Sequence, residues 1–396
     1  MPRLKVMTIL GTRPEIIRLS RVMARLDRTS EHVMVHTGQN YDYELNEIFF
    51  NDLGIRKPNH FLGCGGGTLG ETLGKILSES ERVIDREVPD ALLVLGDTNS
   101  AIAAIMARRR HIPVYHMEAG NRCFDRNVPE ETNRKIVDHI SDFNLAYTEH
   151  ARRHLLAEGL PHRRVYVTGS PMREVLQHYA GGIARSDVRA KLALPKRGYI
   201  LVSIHREENV DDPRILREVL AGLQLLHQEH CVPLIVSTHP RTRKRLEGQD
   251  LPTSSDIRFL APFGFFDYNR LQQDALCVVS DSGTIAEECT MLDFAAVTPR
   301  LSIERPETMD TGGIIVSGTS SRAIAACVAL AIENARERRA DSETDRFARM
   351  PADYAITNTS ERVVNLILGT ARLSNSWDGI RSPDNIPAEG APVRLT

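Results

Sequence analysis

Carboxylates and basic side chains crowd the segment 117–142, MEAGNRCFDRNVPEETNRKIVDHISD, which follows a run typical of a buried strand. Glu118 leaves that strand at its carboxyl end, and a neighbouring predicted strand ends in VLGDTNS, which places Asp97 at the corresponding edge. Two carboxylates at adjacent strand ends raise each other's proton affinity, a common way to obtain a general acid or base near neutral pH. Capping of the next helix by Asp97 or Thr98 is the alternative interpretation of the first motif.

A helix is predicted to begin within the same segment, at VPEETNRK. Glu130 and Arg134 are four positions apart and share one helix face, whereas Glu131 is offset from them. Acids are favoured in a first helical turn, so helix formation explains part of this charge. It does not explain Glu118, which precedes the helix. The strand ends therefore predict an acid–base site that contains Asp97 and Glu118.

Basic side chains follow several other predicted strands and indicate an anion site. GTRPE places Arg13 at the start of a helix, with Arg18 one turn further on. SIHREEN and STHPRTRKRL place His205 and His239 at two strand ends of the second half, and SIERPETMDTGG adds Arg305. VVSDSGTIAEE opens a helix whose first N–H groups are further donors. These groups predict a diphosphate site, although GTRPE taken alone is equally consistent with a simple helix cap.

The elements that must position these groups follow a βαβ pattern. Short β-branched runs alternate with longer amphipathic runs, as in parallel sheets. The first half contains predicted strands at Lys5–Leu10, His32–His36, Ala91–Leu95, Val114–Met117, Phe143–Ala146 and Val165–Val167, with helices at Pro14–Leu26, Leu69–Arg86 and Ser100–Arg109. The second half contains predicted strands at Tyr199–Ile204, Pro233–Ser237, Ile257–Leu260, Leu276–Ser280, Ala295–Thr298 and Ile314–Val316. We therefore predict an α/β fold of two Rossmann-like parallel sheets, with ligands beyond the carboxyl ends of the strands.

The length of 396 residues predicts about two domains. Glycine and proline punctuate residues 179–198, which we interpret as a hinge zone. We expect an N-terminal domain over residues 1–172 that carries the acids and a C-terminal domain over 173–370 that binds the anion. Residues 371–396 are predicted to form a tail, because the end of the chain has few apolar residues.

Composition excludes several function classes. A net charge of −2, with 26% charged and 41% hydrophobic residues, describes a soluble globular protein without a basic field for nucleic acid. The N-terminal apolar run is too short to span a membrane. The six cysteines lack CxxC spacing, which favours reduced thiols in a cytoplasmic protein. Since the turn after the first strand lacks GxGxxG and no histidine pair has zinc-site spacing, we expect neither a cofactor nor a metal.

The chain resembles the non-hydrolysing UDP-N-acetylglucosamine 2-epimerases in an ordered set of motifs between about residues 3 and 370: GTRPE, TGQ, GDTNS, EAG with PEETNR, HREEN, HPRTRKRL, DSGTIAEE and ERPE. This resemblance implies a two-domain fold of the glycosyltransferase-B type with the active site in the interdomain cleft. It also implies a UDP-sugar substrate and a homodimer as the usual assembly.

Carried over motif by motif, the resemblance implies catalytic roles for Asp97, Glu118, Glu130 and His205. It implies substrate binding by Arg13, Arg18, Gln39, Arg134, His239, Tyr268, Ser282, Gly283, Glu288 and Arg305. Within the second set, Glu288 would hold the ribose hydroxyls and Tyr268 would lie near the uracil.

The chemistry of such an epimerase explains why carboxylates are needed. The proton on carbon 2 of a 2-acetamido sugar is hardly acidic unless UDP leaves carbon 1 at the same time. Elimination gives a 2-acetamidoglycal, and return of UDP with a proton on the other face of carbon 2 inverts the centre. One base and one acid are therefore required, together with cations that retain the departed diphosphate.

Phrases such as HTGQNYDYELNEIFF and AAVTPRLSIERPETMDTG resemble the branch that forms UDP-N-acetyl-L-fucosamine from UDP-2-acetamido-2,6-dideoxy-L-talose. In the main branch of the family, GQH and a lysine after GTRPE stand at the positions that Gln39-Asn40 and Arg18 occupy here. A second, allosteric UDP-N-acetylglucosamine site of the main branch would lie at these positions. Interconversion of UDP-N-acetylglucosamine and UDP-N-acetylmannosamine is the alternative within the class. Alternatives outside it are a glycosyltransferase of the same fold and a non-catalytic UDP-sugar sensor, and neither accounts for three converging acids.

Overall fold

Two parallel β-sheets form the framework of the computed structural model, which describes residues 3–39, 50, 52–247, 254–341 and 348–380. The first sheet has the strand order β3-β2-β1-β4-β5-β6-β7, and the second has the order β10-β9-β8-β11-β12-β13. Every strand pair in both sheets is parallel. The prediction of an α/β fold with two Rossmann-like sheets is confirmed.

The first sheet and its helices occupy the N-terminal half. Its strands are β1 (Lys5–Leu10), β2 (Glu31–His36), β3 (His60–Phe61), β4 (Ala91–Leu95), β5 (Val114–Met117), β6 (Phe143–Ala146) and β7 (Val165–Val167). The accompanying helices are α1 (Arg13–Thr29), α2 (Leu69–Glu87), α3 (Ala104–Arg109), α4 (Glu130–Ile140) and α5 (Glu149–Ala157). Short 3-10 helices span Asn99–Ala103 and His162–Arg164. Strand β3 was not predicted, because two residues are too few to show a periodicity.

Three short helices connect the sheets: α6 (Met172–His178), α7 (Ala180–Arg185) and α8 (Val188–Lys191). The second sheet contains β8 (Ile200–Ser203), β9 (Leu234–Ser237), β10 (Ile257–Leu260), β11 (Cys277–Ser280), β12 (Ala296–Thr298) and β13 (Ile315–Val316). Its helices are α9 (Glu207–Val210), α10 (Pro213–His230), α11 (Pro240–Leu246), α12 (Phe265–Asp274), α13 (Ile285–Met291), α14 (Pro306–Asp310) and α15 (Ser321–Ala340). A 3-10 turn at Ala352–Ala355 precedes the last helix, α16 (Thr359–Trp377).

Strand β1 shows why these apolar runs become central strands. Its residues 6–10 are all buried. Leu10 packs on one face of the sheet with Leu19 of α1, whereas Ile9 packs on the other face with Ile76 of α2. Helices cover both faces of such a sheet, so a strand at its centre must be apolar along its whole length.

The last helix returns to the first sheet. Val363 and Ile367 of α16 share a core with Leu19 of α1, and Arg25 Nη2 lies 3.1 Å from Glu361 Oε1. The predicted tail over 371–396 is wrong at its start, since residues 371–377 belong to this helix and Ser374 is buried. Arg164 donates a hydrogen bond to Ser374 Oγ at 3.1 Å, which allows this polar side chain to be buried. No local pattern in the sequence indicates this distant partner. Residues 381–396 lie outside the described part of the chain, and the predicted domain boundaries stay a prediction.

Over the residues that the structure describes, no helix combines the length and apolarity needed to cross a bilayer.

Candidate functional site

A cavity of about 510 Å³ lies where the carboxyl ends of the two sheets face each other. Its size is typical of a small-molecule site. Every predicted site residue except Gln39 lines it, namely Arg13, Arg18, Asp97, Glu118, Glu130, Arg134, His205, His239, Tyr268, Ser282, Gly283, Glu288 and Arg305. Gln39 instead accepts a hydrogen bond from Ser100 Oγ at 3.2 Å. Asn40, the other departure from the family pattern, lies outside the described residues.

Asp97 follows β4 after a left-handed residue, Gly96, whose φ is 69°. Its Oδ2 lies 2.5 Å from Arg134 Nη2, so the side chain points toward the cavity and not back onto the next helix. Thr98 Oγ1 donates to Glu15 Oε1 at 3.1 Å. The structure therefore does not favour the alternative in which Asp97 or Thr98 serves as a helix cap.

Glu118 follows β5 in a left-handed conformation with a φ of 65°, which is uncommon for a residue other than glycine. It forms ion pairs with Arg18 and, at 2.6 Å, with Arg305 Nη2. Burial raises the pKa of the Glu118 carboxyl, but the two guanidinium groups outweigh burial and lower it. The expectation that Asp97 would raise the proton affinity of Glu118 is therefore wrong, because two arginines from distant parts of the chain lie against the carboxylate.

Glu130 is a predicted catalytic acid whose pKa is raised. Burial at the start of α4 is the main cause, and the nearby negative charge of Asp97 adds to it. Arg134, which shares a helix face with Glu130, forms its ion pair within the helix with Glu131, from Nη1 to Oε2 at 2.8 Å. Glu130 is thus suited to donate a proton, whereas Glu118 is held as a carboxylate.

Glu287 joins the arginines that hold Glu118. Its side chain is fully buried on α13, and its Oε2 lies 3.1 Å from Arg305 and 3.5 Å from Arg18. Two carboxylates and two guanidiniums from both halves of the chain thus form one buried cluster. Sequence reasoning did not select Glu287, because its neighbour Glu288 matched the family motif and nothing in the spacing distinguished the two roles.

His205 is oriented by Asp281. The His205 Nδ1 atom lies 3.0 Å from Asp281 Oδ1, and Asp281 also accepts from the backbone N–H of Arg206 at 2.9 Å. Burial raises the pKa of the Asp281 carboxyl, but His205 and the backbone donors outweigh it and lower the pKa to about 2. With Nδ1 occupied in this way, Nε2 of the half-exposed ring is the nitrogen available to a ligand.

The remaining C-terminal groups line the same wall. The His239 ring lies 5.9 Å from the His205 ring between centroids. Gly283 accepts a hydrogen bond from Arg305 Nη1 at 2.8 Å through its carbonyl. Glu288 Oε2 accepts from Gln272 Nε2 at 2.6 Å, and burial raises the pKa of this carboxyl. Glu288 lines the cavity, and a carboxylate can accept several hydrogen bonds, so hydroxyl groups of a ligand are suitable partners for it.

Glu15 is a further lining residue that was quoted within GTRPE but not selected. Its carboxyl is buried beneath the turn that carries Arg13 and accepts from Thr12 Oγ1 at 2.7 Å and from Gly11 N at 3.1 Å. Burial is the largest effect and raises its pKa to about 7. Sequence alone gives no signal for this, since a glutamate in the first helical turn usually faces solvent.

In the described ranges, no group of three or more His, Cys, Asp or Glu side chains is arranged to hold a metal ion. The cavity instead offers carboxylates on its N-terminal side and histidine, arginine and hydroxyl groups on its C-terminal side. Fold and site together define a two-domain α/β enzyme of the glycosyltransferase-B type.

Comparison with known proteins places the chain in a family. Residues 24–368 match the family model described as UDP-N-acetylglucosamine 2-epimerase. The UDP-N-acetylglucosamine 2-epimerase of Methanocaldococcus jannaschii is 36% identical over 342 residues, which cover 84% of this chain and 93% of that protein. The UDP-2,3-diacetamido-2,3-dideoxy-D-glucuronate 2-epimerase of Pseudomonas aeruginosa is 34% identical over 320 residues, 80% of this chain and 89% of that one.

Solved structures agree with this placement. A structure of UDP-N-acetylglucosamine 2-epimerase from Rickettsia bellii has a TM-score of 0.87 and 44% identity, with 96% of this chain and 100% of that chain covered. The Methanocaldococcus jannaschii enzyme in complex with UDP-GlcNAc and UDP has a TM-score of 0.84 and 34% identity, with 92% and 99% covered. The chain therefore belongs to the UDP-N-acetylglucosamine 2-epimerase family. The expectation of an isomerase is confirmed, and the protein stands among the UDP-sugar 2-epimerases.

Proposed function

We propose that the protein inverts carbon 2 of a UDP-2-acetamido sugar by eliminating UDP and adding it back. The observation that carries this proposal is the meeting of Asp97, Glu118 and Glu130 with His205 and Arg305 around one cavity. In the forward step a base takes the carbon 2 proton as the bond from carbon 1 to the diphosphate oxygen breaks. The products are UDP and a 2-acetamidoglycal, and the reverse step with protonation on the other face completes the inversion.

Asp97 and Glu130 form the proposed acid–base pair. Arg134 Nη2 forms an ion pair with Asp97 Oδ2 at 2.5 Å, whereas burial and the charge of Asp97 raise the pKa of Glu130. One group of the pair is thus suited to accept a proton and the other to give one. Glu118 stays ionised between Arg18 and Arg305, where it fixes the position of both cations.

Most of the proposed nucleotide-binding groups lie on the C-terminal side, and Arg13 of α1 is the exception. Arg13 and His205 bind the diphosphate, so that UDP is retained while the glycal exists. Ser282 and Gly283 offer further polar groups, because they stand between β11 and α13 at the cavity wall. Glu288 binds the ribose hydroxyls.

Tyr268 is proposed to lie near the uracil, and it lines the same cavity. Burial raises the pKa of its hydroxyl, with a further rise from the charge of Glu288, so the phenol remains neutral.

The proposed assembly is a homodimer, as the resemblance implies.

For the substrate we propose UDP-2-acetamido-2,6-dideoxy-L-talose, with UDP-N-acetyl-L-fucosamine as the product. The support is the wording of the motifs, and the Pseudomonas aeruginosa relative is a family member named for a sugar other than UDP-N-acetylglucosamine. Interconversion of UDP-N-acetylglucosamine and UDP-N-acetylmannosamine is the second candidate. The names of the archaeal relatives favour it.

One experiment tests the reaction and separates the substrates. Purified protein is incubated in deuterated water with each candidate UDP-sugar in turn, and the products are followed by proton NMR. The expected result is a new anomeric signal and deuterium at carbon 2 of both epimers, for one sugar far faster than for the other. Transfer of the sugar to an acceptor, or epimers without label at carbon 2, would contradict the mechanism.

A further inference from the structure

Asp138 is a fully buried carboxylate in the last turns of α4, away from the cavity lining. It accepts from the backbone N–H of Gly120 at 3.2 Å. It also lies 2.8 Å from His116 Nδ1 and 2.7 Å from Arg122 Nη1. Burial raises the pKa of this carboxyl, but His116 and Arg122 outweigh burial and lower it, so the group is charged.

The contacts of Asp138 bracket Glu118. His116 is two residues before Glu118 and Gly120 is two residues after it, so one carboxylate fixes both ends of the turn that carries this acid. The turn needs such a constraint, because Glu118 has a φ of 65°. Gly120 is tightly enclosed as well, since a Cβ there would stand 2.3 Å from Ala151 O.

His116 extends the constraint to the other acid loop. Its Nε2 atom lies 2.8 Å from the carbonyl oxygen of Gly96, the residue before Asp97. Both ring nitrogens therefore lie within hydrogen-bonding distance of an oxygen atom, one of Asp138 and one of Gly96. The two acid loops also lie close together, since a Cβ at Gly96 would stand 3.2 Å from Glu118 Oε2.

We infer that Asp138, acting through His116, is a positioning residue that sets the relative placement of Asp97 and Glu118. This inference rests on the proposed function, which gives both acids a place in the reaction. Helix α4 then has two tasks. Its first residue, Glu130, is an acid of the site, and Asp138 near its other end holds the loops that carry the other two acids.

The test compares Asp138→Asn with a matched control, Glu158→Gln. Asparagine keeps the shape of Asp138 but removes the charge that pairs with His116 and Arg122. Glu158 binds the same Arg122 from its more exposed side, at 2.7 and 2.8 Å, and has no contact with the acid loops in the hydrogen bonds that the structure describes. The control therefore changes the outer partner of Arg122 and leaves the inner partner in place.

Turnover is measured as kcat per UDP-binding site, with UDP affinity from calorimetry, so that loss of folded protein does not count as loss of activity. We expect Asp138→Asn to lower kcat by about tenfold to a hundredfold, because misplaced reacting groups lose rate on this scale. UDP affinity should stay within about twofold, since the proposed nucleotide-binding groups lie outside the two acid loops. Glu158→Gln should keep both quantities within about twofold.

Two substitutions of His116 keep the inference testable if Asp138→Asn does not fold. His116→Asn retains a donor toward Asp138 and loses the one toward Gly96, whereas His116→Gln retains a donor toward Gly96 and loses the one toward Asp138. Each is expected to lower kcat without weakening UDP binding. Wild-type kcat in a folded Asp138→Asn protein, or in both His116 variants, would overturn the inference.

Failure of this inference is distinguishable from failure of the proposed function. If wild-type protein exchanges the carbon 2 proton while the Asp138 and His116 variants match it, only the positioning role is wrong. If wild-type protein shows no exchange with either UDP-sugar, the proposed reaction is wrong and the positioning role falls with it.

Discussion

The buried carboxyl of Glu15 should make the stability of this protein depend on pH in a defined direction. Only 1% of the residue is exposed, and burial raises its pKa from an ordinary 4.5 to about 7. An acid with a higher pKa in the folded chain binds its proton more tightly when folded. The stability that protonated Glu15 contributes is therefore complete below about pH 4.5 and is lost as the pH rises to about 7.

The size of the effect follows from the same values. One pKa unit corresponds to about 1.4 kcal/mol, so the whole change is roughly 3 kcal/mol, of which about 2.5 kcal/mol falls between pH 5 and pH 8. Glu15→Gln removes the titration while keeping the shape of the side chain. The wild-type free energy of unfolding should therefore fall by about 2.5 kcal/mol more than that of the variant between these two pH values.

Urea unfolding of both proteins at pH 5 and pH 8 measures this difference. The contributions of all other titrating groups cancel in the comparison, because both proteins contain them. Glu333→Gln on α15 is the matched control, since this glutamate is exposed and should leave the pH dependence of wild type unchanged. Parallel pH dependence in wild type and Glu15→Gln would refute the reasoning. If the free energy of unfolding of Glu15→Gln fell more steeply with rising pH than that of wild type, the effect of Glu15 would have the opposite sign.

Further predictions concern the charges of the site. Asp97→Asn and Glu130→Gln should each lower kcat by about 10²- to 10⁴-fold, as expected for loss of a general acid or base, with UDP affinity by calorimetry within about threefold. Asp281→Asn should weaken UDP binding more than it lowers kcat, because it releases His205 from its 3.0 Å contact. Glu287→Gln should lower the free energy of unfolding in urea by about 3 kcal/mol, since it removes one of the two carboxylates that pair with the buried guanidiniums of Arg18 and Arg305.

Each of these has a contrary outcome. Equal loss of UDP affinity and kcat in folded Asp97→Asn would contradict the division of roles between the acid–base groups and the nucleotide-binding groups. Unchanged UDP affinity in Asp281→Asn would mean that the orientation of His205 does not matter for the diphosphate. Wild-type stability of Glu287→Gln would show that water reaches the cluster and replaces the lost charge.

Most of the secondary structure could be predicted from the sequence because parallel strands are local apolar runs. The bounds of β1, β4, β5, β6, β7 and β10 agree with those predicted. Strand β3 and the end of α16 could not be predicted, because each depends on a neighbour distant in the chain. Ser374 becomes helical and buried since Arg164 is there to bind it.

The part of the candidate site that could be predicted from the sequence is the part that depends on strand ends meeting at one sheet edge. This rule correctly brought Asp97 and Glu118 to one cavity, and the motif resemblance brought the C-terminal groups to the same cavity. Gln39 is the exception, because its side chain turns to Ser100. The catalytic and binding roles of these residues stay predictions until the variants are measured.

The sequence by itself determined where the strands lie, which side chains follow them and which family the motifs match. These are properties of short stretches, and physical rules for short stretches suffice to predict them. Only the tertiary structure decided the charge states. Glu118 is held ionised by two arginines that lie 100 and 187 positions away along the chain. The pKa of Glu130 is raised by burial and by the nearby charge of Asp97. A pKa depends on distances through space and on exclusion of water, and neither is encoded in any local pattern.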